Sequence, residues 1–250
     1  MEDREASGAV AFFKAMTQSF GVTLVAGRGR GELIDALTAQ AFDFFEGNVA
    51  IQSEDLPDLA CDKGCPACCT MRVTAAAPEI FLLARTIRRI HETESGMRLD
   101  LPRRIAEAHR AGAGLDDQHR IALKRPCPMI LRGVCIVHPV RPLACRGHAS
   151  FDKRACALAA AGRDTVVPIS EPHFMVRSLV QNAMQSALRE AGYAWRSYEL
   201  NHALGLALTD DNRAAAWLNG ADALAEALVT DVDWEAMGTT FDALQEDDGK

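Results

Sequence analysis

The residues with the most chemistry in this 250-residue chain are its eight cysteines, all of which fall between Cys61 and Cys156. Cys61, Cys65, Cys68 and Cys69 form a first group with the spacing CxxxCxxCC. Cys127, Cys135 and Cys145 form a second, and Cys156 follows on an expected helix. A gap of two residues, as between Cys65 and Cys68, lets a tight turn aim two sulfurs at one ion while the intervening amides donate to the thiolates. Gly64 and Pro66 suit such a turn. Adjacent side chains diverge, so Cys68 and Cys69 can both be ligands only if the backbone bends sharply or if they serve different ions. In the second group Pro128, Pro139 and Pro142 stiffen the chain and Gly133 permits a turn, which suits a wrapped loop.

Thiolates suit both zinc and iron, and softness does not choose between them. Four cysteines close a structural zinc site or hold an iron–sulfur cluster. Seven or eight exceed one such site, so more than one metal ion or a polynuclear centre is expected, with Cys61, Cys65, Cys68, Cys69, Cys127, Cys135, Cys145 and Cys156 as ligands and Cys156 the most peripheral. Core cysteines would be scattered over helix faces as small apolar residues are, whereas these are confined to one stretch. In a reducing compartment such clustering points to metal ahead of disulfides.

The elements that must position these groups are helical. Apolar residues recur at spacings of three and four, alanine and leucine are abundant and aromatics make up only 6% of residues, the pattern of amphipathic helices. Helices are expected at 4–20, 31–45, 78–93, 102–111, 151–161, 172–191, 197–208, 212–218 and 221–229. Pro78 and Glu79 suit a helix start, and Gly192 suits a stop. The one strand-like stretch is 165–169. The fold class is therefore mainly α, a helical scaffold with little or no sheet carrying two Cys-rich loops, 56–76 and 125–150. Along the chain this gives an N-terminal helical segment (1–55), a cysteine-cluster metal-binding domain (56–162), a C-terminal helical region (163–230) and a frayed acidic tail (231–250).

A formal net charge of −7 argues against a general nucleic-acid binder, which needs a concentrated basic face. The N-terminus carries acidic residues where a secretory leader has basic ones, and no uninterrupted apolar run reaches about 18 residues, so neither export nor a membrane span is expected and the cytoplasm is the expected location. Gly27, Gly29 and Gly31 lack the GK[ST] ending of a phosphate loop, and none of the seven histidines lies in an HExxH motif. Arg132, Arg141 and Arg146 lie among the cysteines, where guanidinium groups offset thiolate charge or hold an anion. Tyr193, Trp195, Tyr198 and Trp217 read as helix-packing core first, and second as a docking surface for a protein or peptide partner on the C-terminal helices.

The spacing of Cys61, Cys65, Cys68 and Cys69, followed by Cys127-Pro128, Cys135, Arg141-Pro142 and Cys145-Arg146, resembles the YkgJ-like cysteine-cluster family. The matched stretch covers 61–156. The resemblance implies a zinc- or iron-chelating domain, and it implies no reaction. His138 stands where that family commonly has tyrosine, and reads as a polar loop residue ahead of an extra ligand. One branch of the family pairs a similar cluster with methyl transfer, but no methyl-donor motif accompanies it in this chain. CxxxCxxC is also the cubane loop of radical S-adenosylmethionine enzymes, which lies in a βα barrel that this helical pattern lacks. The reading carried forward is a metal-binding cysteine-cluster protein; the alternative is a redox or group-transfer enzyme that uses the same cluster.

Overall fold

The computed structural model describes residues 2–62 and 64–246. In chain order the elements are α1 (Glu2–Gly27), α2 (Glu32–Gln52), β1 (Thr74–Ala76), α3 (Ala77–His91), α4 (Glu94–Leu99), α5 (Leu101–Gly112) and α6 (Asp117–Ala122). There follow β2 (Ile130–Leu131), β3 (Val134–Cys135), α7 (Leu143–Arg146), α8 (Lys153–Ala160) and α9 (Glu171–Glu190). β4 (Ser197–Glu199), α10 (Leu200–Thr209), α11 (Asn212–Leu218) and α12 (Trp234–Glu246) complete the chain. The fold is mainly α, with two small two-stranded sheets among the described residues.

The helices follow from their apolar stripes. Phe13, Met16, Phe20 and Leu24 bury one face of α1, and Leu37, Ala41, Phe45 and Val49 bury one face of α2. Both pack on α9, whose inner face is Val176, Val180, Ala183, Met184 and Ala187. Phe20 is fully buried and meets Phe44 edge-on at 5.4 Å; burial of a side chain of that size stabilises the fold by about 2–3 kcal/mol. By length and composition the stretch Gly8–Gly27 would also suit a membrane span. In the fold its four large buried apolar side chains, Phe13, Met16, Phe20 and Leu24, belong to the protein core.

Helix ends are fixed by side chains and glycine. Asp152 accepts from the amides of Arg154 and Ala155 and so starts α8, which carries Cys156. At the end of α9, Gly192 takes φ +78, and the amides of Gly192 and Tyr193 bond back to Arg189 and Leu188. This is the Schellman stop expected from the sequence. β1 pairs antiparallel with β4, Thr74 opposite Glu199 and Ala76 opposite Ser197, which fastens the exit of the first cysteine loop to the C-terminal helices.

Several expectations are corrected. Residues 197–199 are strand, and the helix expected from 197 begins at Leu200. Residues 221–229 form a short 3₁₀ turn, Ala225–Ala227, in place of a helix, because Leu228 and Val229 are drawn into pairing beside β4. The stretch 165–169 keeps one isolated bridge, Ser150 to Ile169. The tail expected to fray is α12 as far as Glu246, held by Phe241 against Phe13 and Trp195; its last four residues lie outside the described residues. Tyr198 and Trp217 are fully buried, as a packing role requires. One apolar core runs from Phe13 to Phe241, so the N-terminal, cysteine-rich and C-terminal segments pack around a common centre.

Candidate metal centre

The first loop is a series of tight turns. The Cys65 amide bonds to the Asp62 carbonyl, Gly64 takes φ +98, and a 3₁₀ turn over Ala67–Thr70 carries Cys68 and Cys69. Helix α8 packs against that 3₁₀ turn and brings Cys156 to it. Cys61 is closed onto the chain beyond the second group: its Sγ receives the Ser150 amide at 3.4 Å, and the Ala60 amide bonds to the Ser150 carbonyl.

The second loop is bolted to the first by its backbone, the Cys127 amide donating to the Cys69 carbonyl at 2.6 Å. The chain then makes a hairpin, with Ile130 opposite Cys135 and Leu131 opposite Val134. Its two turn residues, Arg132 and Gly133, both have positive φ, 49° and 82°, the type I′ geometry that matches strand twist. The hairpin returns Cys135 to the neighbourhood of Cys127. Each of these sulfurs receives the amide two residues on, Met129 for Cys127 and Val137 for Cys135. Cys145 follows on α7. The Leu143 amide at the start of that helix donates to Glu79 Oε1 at 2.7 Å, while Glu79 Oε2 accepts from Ala76 at 2.8 Å. Glu79, 1% exposed, therefore ties the start of α3 to the helix that holds Cys145.

The thiols influence one another in two overlapping sets. Cys61 lies within electrostatic reach of Cys68, Cys65 and Cys156. Cys145 lies within reach of Cys127, Cys68 and Cys135, and Cys69 within reach of Cys68, Cys127 and Cys145. Cys68 and Cys69 join the two sets and share a hydrogen bond. The Cys69 thiol donates to Cys68, which pulls Cys68 down to about 7 against the opposing effect of burial, with its own backbone amide and the Arg141 cation assisting. Holding that proton, and being buried, Cys69 is displaced far upward. Burial pushes Cys127 up to about 11, and its amide from Met129 only partly offsets this. Burial likewise raises Cys145, Cys135 and Cys61.

All eight cysteines are free thiols. Among the described residues, no three or more His, Cys, Asp or Glu side chains are already gathered tightly enough to hold a metal ion. The sulfurs are near enough to sense one another and stop short of coordination. The donor set nonetheless has the chemistry of a thiolate centre, because backbone amides directed at sulfur favour the deprotonated, ligating form.

The basic residues take distinct roles. Arg146, 8% exposed, donates through Nε to the Arg141 carbonyl at 3.0 Å, reaches the Pro139 carbonyl and Glu46, and lies 3.8 Å over the Phe42 ring. It braces the loop. Arg141 is the cation that acts on Cys68, Cys135 and Cys145. Arg132 is exposed at the hairpin turn. His138 is exposed and contacts Arg141. The bracing carboxylate Glu79 and the amides of Ser150, Met129 and Val137 escape a reading by residue type, since Glu79 looks only like a helix start and amides carry no sequence signal. Compared with protein-family models, curated proteins and solved structures, the chain matches none.

Proposed function

We propose that this chain is a metal-binding protein, its cysteines holding zinc or iron as two thiolate sets of four. Cys61, Cys65, Cys68 and Cys156 form one set, and Cys69, Cys127, Cys135 and Cys145 the other. The observation that carries the reading is the backbone bond from Cys127 to Cys69. It brings two loops distant in sequence into one thiol-rich layer, and backbone amides are directed at four of the sulfurs there, those of Cys61, Cys68, Cys127 and Cys135. The split between Cys68 and Cys69 answers the divergence of neighbouring side chains, each serving its own set. Metal supplies the charge that draws buried thiols into the thiolate form, and loading releases their protons. The free thiols suit a reducing compartment, and we place the protein in the cytoplasm on that ground.

The test is metal analysis of anaerobically purified protein beside a Cys65→Ser, Cys68→Ser double variant. Stoichiometric zinc or iron in the parent and loss of about half in the variant is the expected result. Neither metal at stoichiometry in the parent would sink the proposal. A visible band between about 300 and 450 nm marks iron–sulfur, because d¹⁰ zinc has no chromophore there.

The second reading, an enzyme using the same centre, is favoured by one observation. A cavity reaches the layer at Cys69 and Cys127.

A further inference from the structure

The cavity beside the second thiol set has a wall chemistry of its own. It measures about 40 Å³ and is bounded by Cys69 and Cys127 on one side and by Thr70, Arg120, Arg125 and Asn201 among others elsewhere. A water occupies roughly 10–15 Å³ on this measure, so about three water-sized groups fit, and anything larger extends through the open mouth.

Two of the wall oxygens, Thr70 Oγ1 and Asn201 Oδ1, are buried and have no hydrogen-bond partner among the described residues. A buried polar atom left unmatched costs about 1–3 kcal/mol. The Asn201 amide is oriented by its Nδ2, which donates to Glu199 Oε1 at 3.4 Å, so the oxygen is the end left over. It needs a donor.

The charge of the wall points the other way. Both charged lining residues are arginines, and no lining residue is acidic. Arg120 is 8% exposed and held by Glu199 at 2.9 Å and the Gly112 carbonyl. Gly112 leaves the guanidinium its place, since a Cβ there would stand 2.6 Å from it and push it aside. Arg125 lies nearer solvent, and its polar contact among the described residues is a long one of 3.4 Å to Glu107, which leaves its planar fork available to a carboxylate.

We infer that this cavity binds a small carboxylate bearing a hydrogen-bond donor on its α-carbon, an α-amino or α-hydroxy acid. The carboxylate faces Arg125 and the Thr70 hydroxyl, and the α-substituent donates to Asn201 Oδ1. Its position against Cys69 and Cys127 makes it a ligand site of the metal centre, a role that rests on the function proposed above. The pocket itself does not depend on that reading.

The test is calorimetric titration of the full chain with L-alanine, L-lactate and propionate, with metal content measured on the same samples. Alanine or lactate should bind at least tenfold more tightly than propionate, which lacks the α-donor, and whichever binds identifies the substituent. Asn201→Leu should reduce that ligand to the propionate level. Thr70→Val, nearly isosteric, should weaken that ligand and propionate alike about tenfold at an unchanged melting temperature, and it decides the matter if the Asn201 variant does not fold. Absence of heat with all three probes at millimolar concentration, or propionate matching the others, overturns the inference and leaves the cavity to ordered water. Well-folded variants that bind like the parent overturn it equally. Binding in a chain without stoichiometric metal upholds the pocket and removes only the metal reading, whereas metal without binding does the reverse.

Discussion

Replacing Glu79 by alanine should loosen both the fold and the second cysteine group. The carboxylate is buried at the start of α3 and accepts two backbone amides, Ala76 at 2.8 Å and Leu143 at 2.7 Å. Hydrogen bonds to a charged acceptor contribute about 1.5–3 kcal/mol each, so the pair contributes about 3–6 kcal/mol. Against this stands the burial of the carboxylate, which raises its pKa above 4.5 although the two amides, Arg146 and Arg177 pull it back. The net loss expected for Glu79→Ala is therefore about 2–4 kcal/mol. At roughly 2–4 °C per kcal/mol for a chain of this size, the melting temperature should fall by about 5–15 °C.

Glutamine separates the two contributions. It keeps one carbonyl acceptor and removes the buried charge, so Glu79→Gln should lose about half as much or less. Because the folded chain holds the Glu79 proton more tightly than the unfolded chain does, this group's contribution falls as pH rises from about 4.5 through the folded value. The glutamine variant loses that slope. Differential scanning calorimetry of parent and both variants measures all of this, and metal content of the same samples reports on Cys145, two residues beyond the anchored Leu143 amide. If Glu79→Ala melts within about 2 °C of the parent, the carboxylate is not the clamp described.

Arg146→Lys should cost about 2–3 kcal/mol, since an ammonium cannot reproduce the fork that meets the Arg141 and Pro139 carbonyls together while covering Phe42. An unchanged melting temperature and metal content would refute that bracing role. Stability should also fall as pH drops below about 6.5. Burial lowers the pKa of His173, with Arg141 adding to it, and lowers that of His202, which stacks on His109 at 4.1 Å. The unfolded chain therefore takes up protons that the folded chain refuses, from 6.5 down through the folded values. Melting temperatures between pH 7.5 and 5.5 should decline in the parent and less steeply in a His173→Gln, His202→Gln variant; equal slopes would rule these residues out.

The helices were legible wherever one apolar stripe faced a core. Residues 212–218 form α11 as expected, and α9 differs by one residue at each end. Failures came where tertiary pairing overrode local pattern. Ser197, Tyr198 and Glu199 have residues of either propensity, and only the presence of Thr74–Ala76 beside them makes a strand. The acidic composition after 230 suggests fraying, yet α12 is held by Phe241 against Phe13 and Trp195, by Met237 and Leu244 on the core and by Asp242 paired with Arg189, all partners from remote parts of the chain. Such long-range partners leave no periodic trace in the segment that depends on them.

Cysteine spacing identifies a thiol-rich region and gives no pairing of the thiols. CxxxCxxCC treats four residues as one unit, whereas in the fold the 3₁₀ turn sets Cys68 within reach of Cys61 and also of Cys127 and Cys145, and Cys69 within reach of Cys127 and Cys145, so this adjacent pair stands where the two groups meet. The thiols around that pair come from elsewhere: Cys156 from a helix capped by Asp152, and Cys135 from a hairpin whose turn requires Gly133. On the proposed function, the proton between Cys68 and Cys69 would couple two metal sets, since loading either would remove the donor or the acceptor of that bond. If the two sets fill independently, titration with zinc should give two separable steps; the shared proton instead makes the second step depend on pH through the first, and that dependence follows from the adjacency of Cys68 and Cys69.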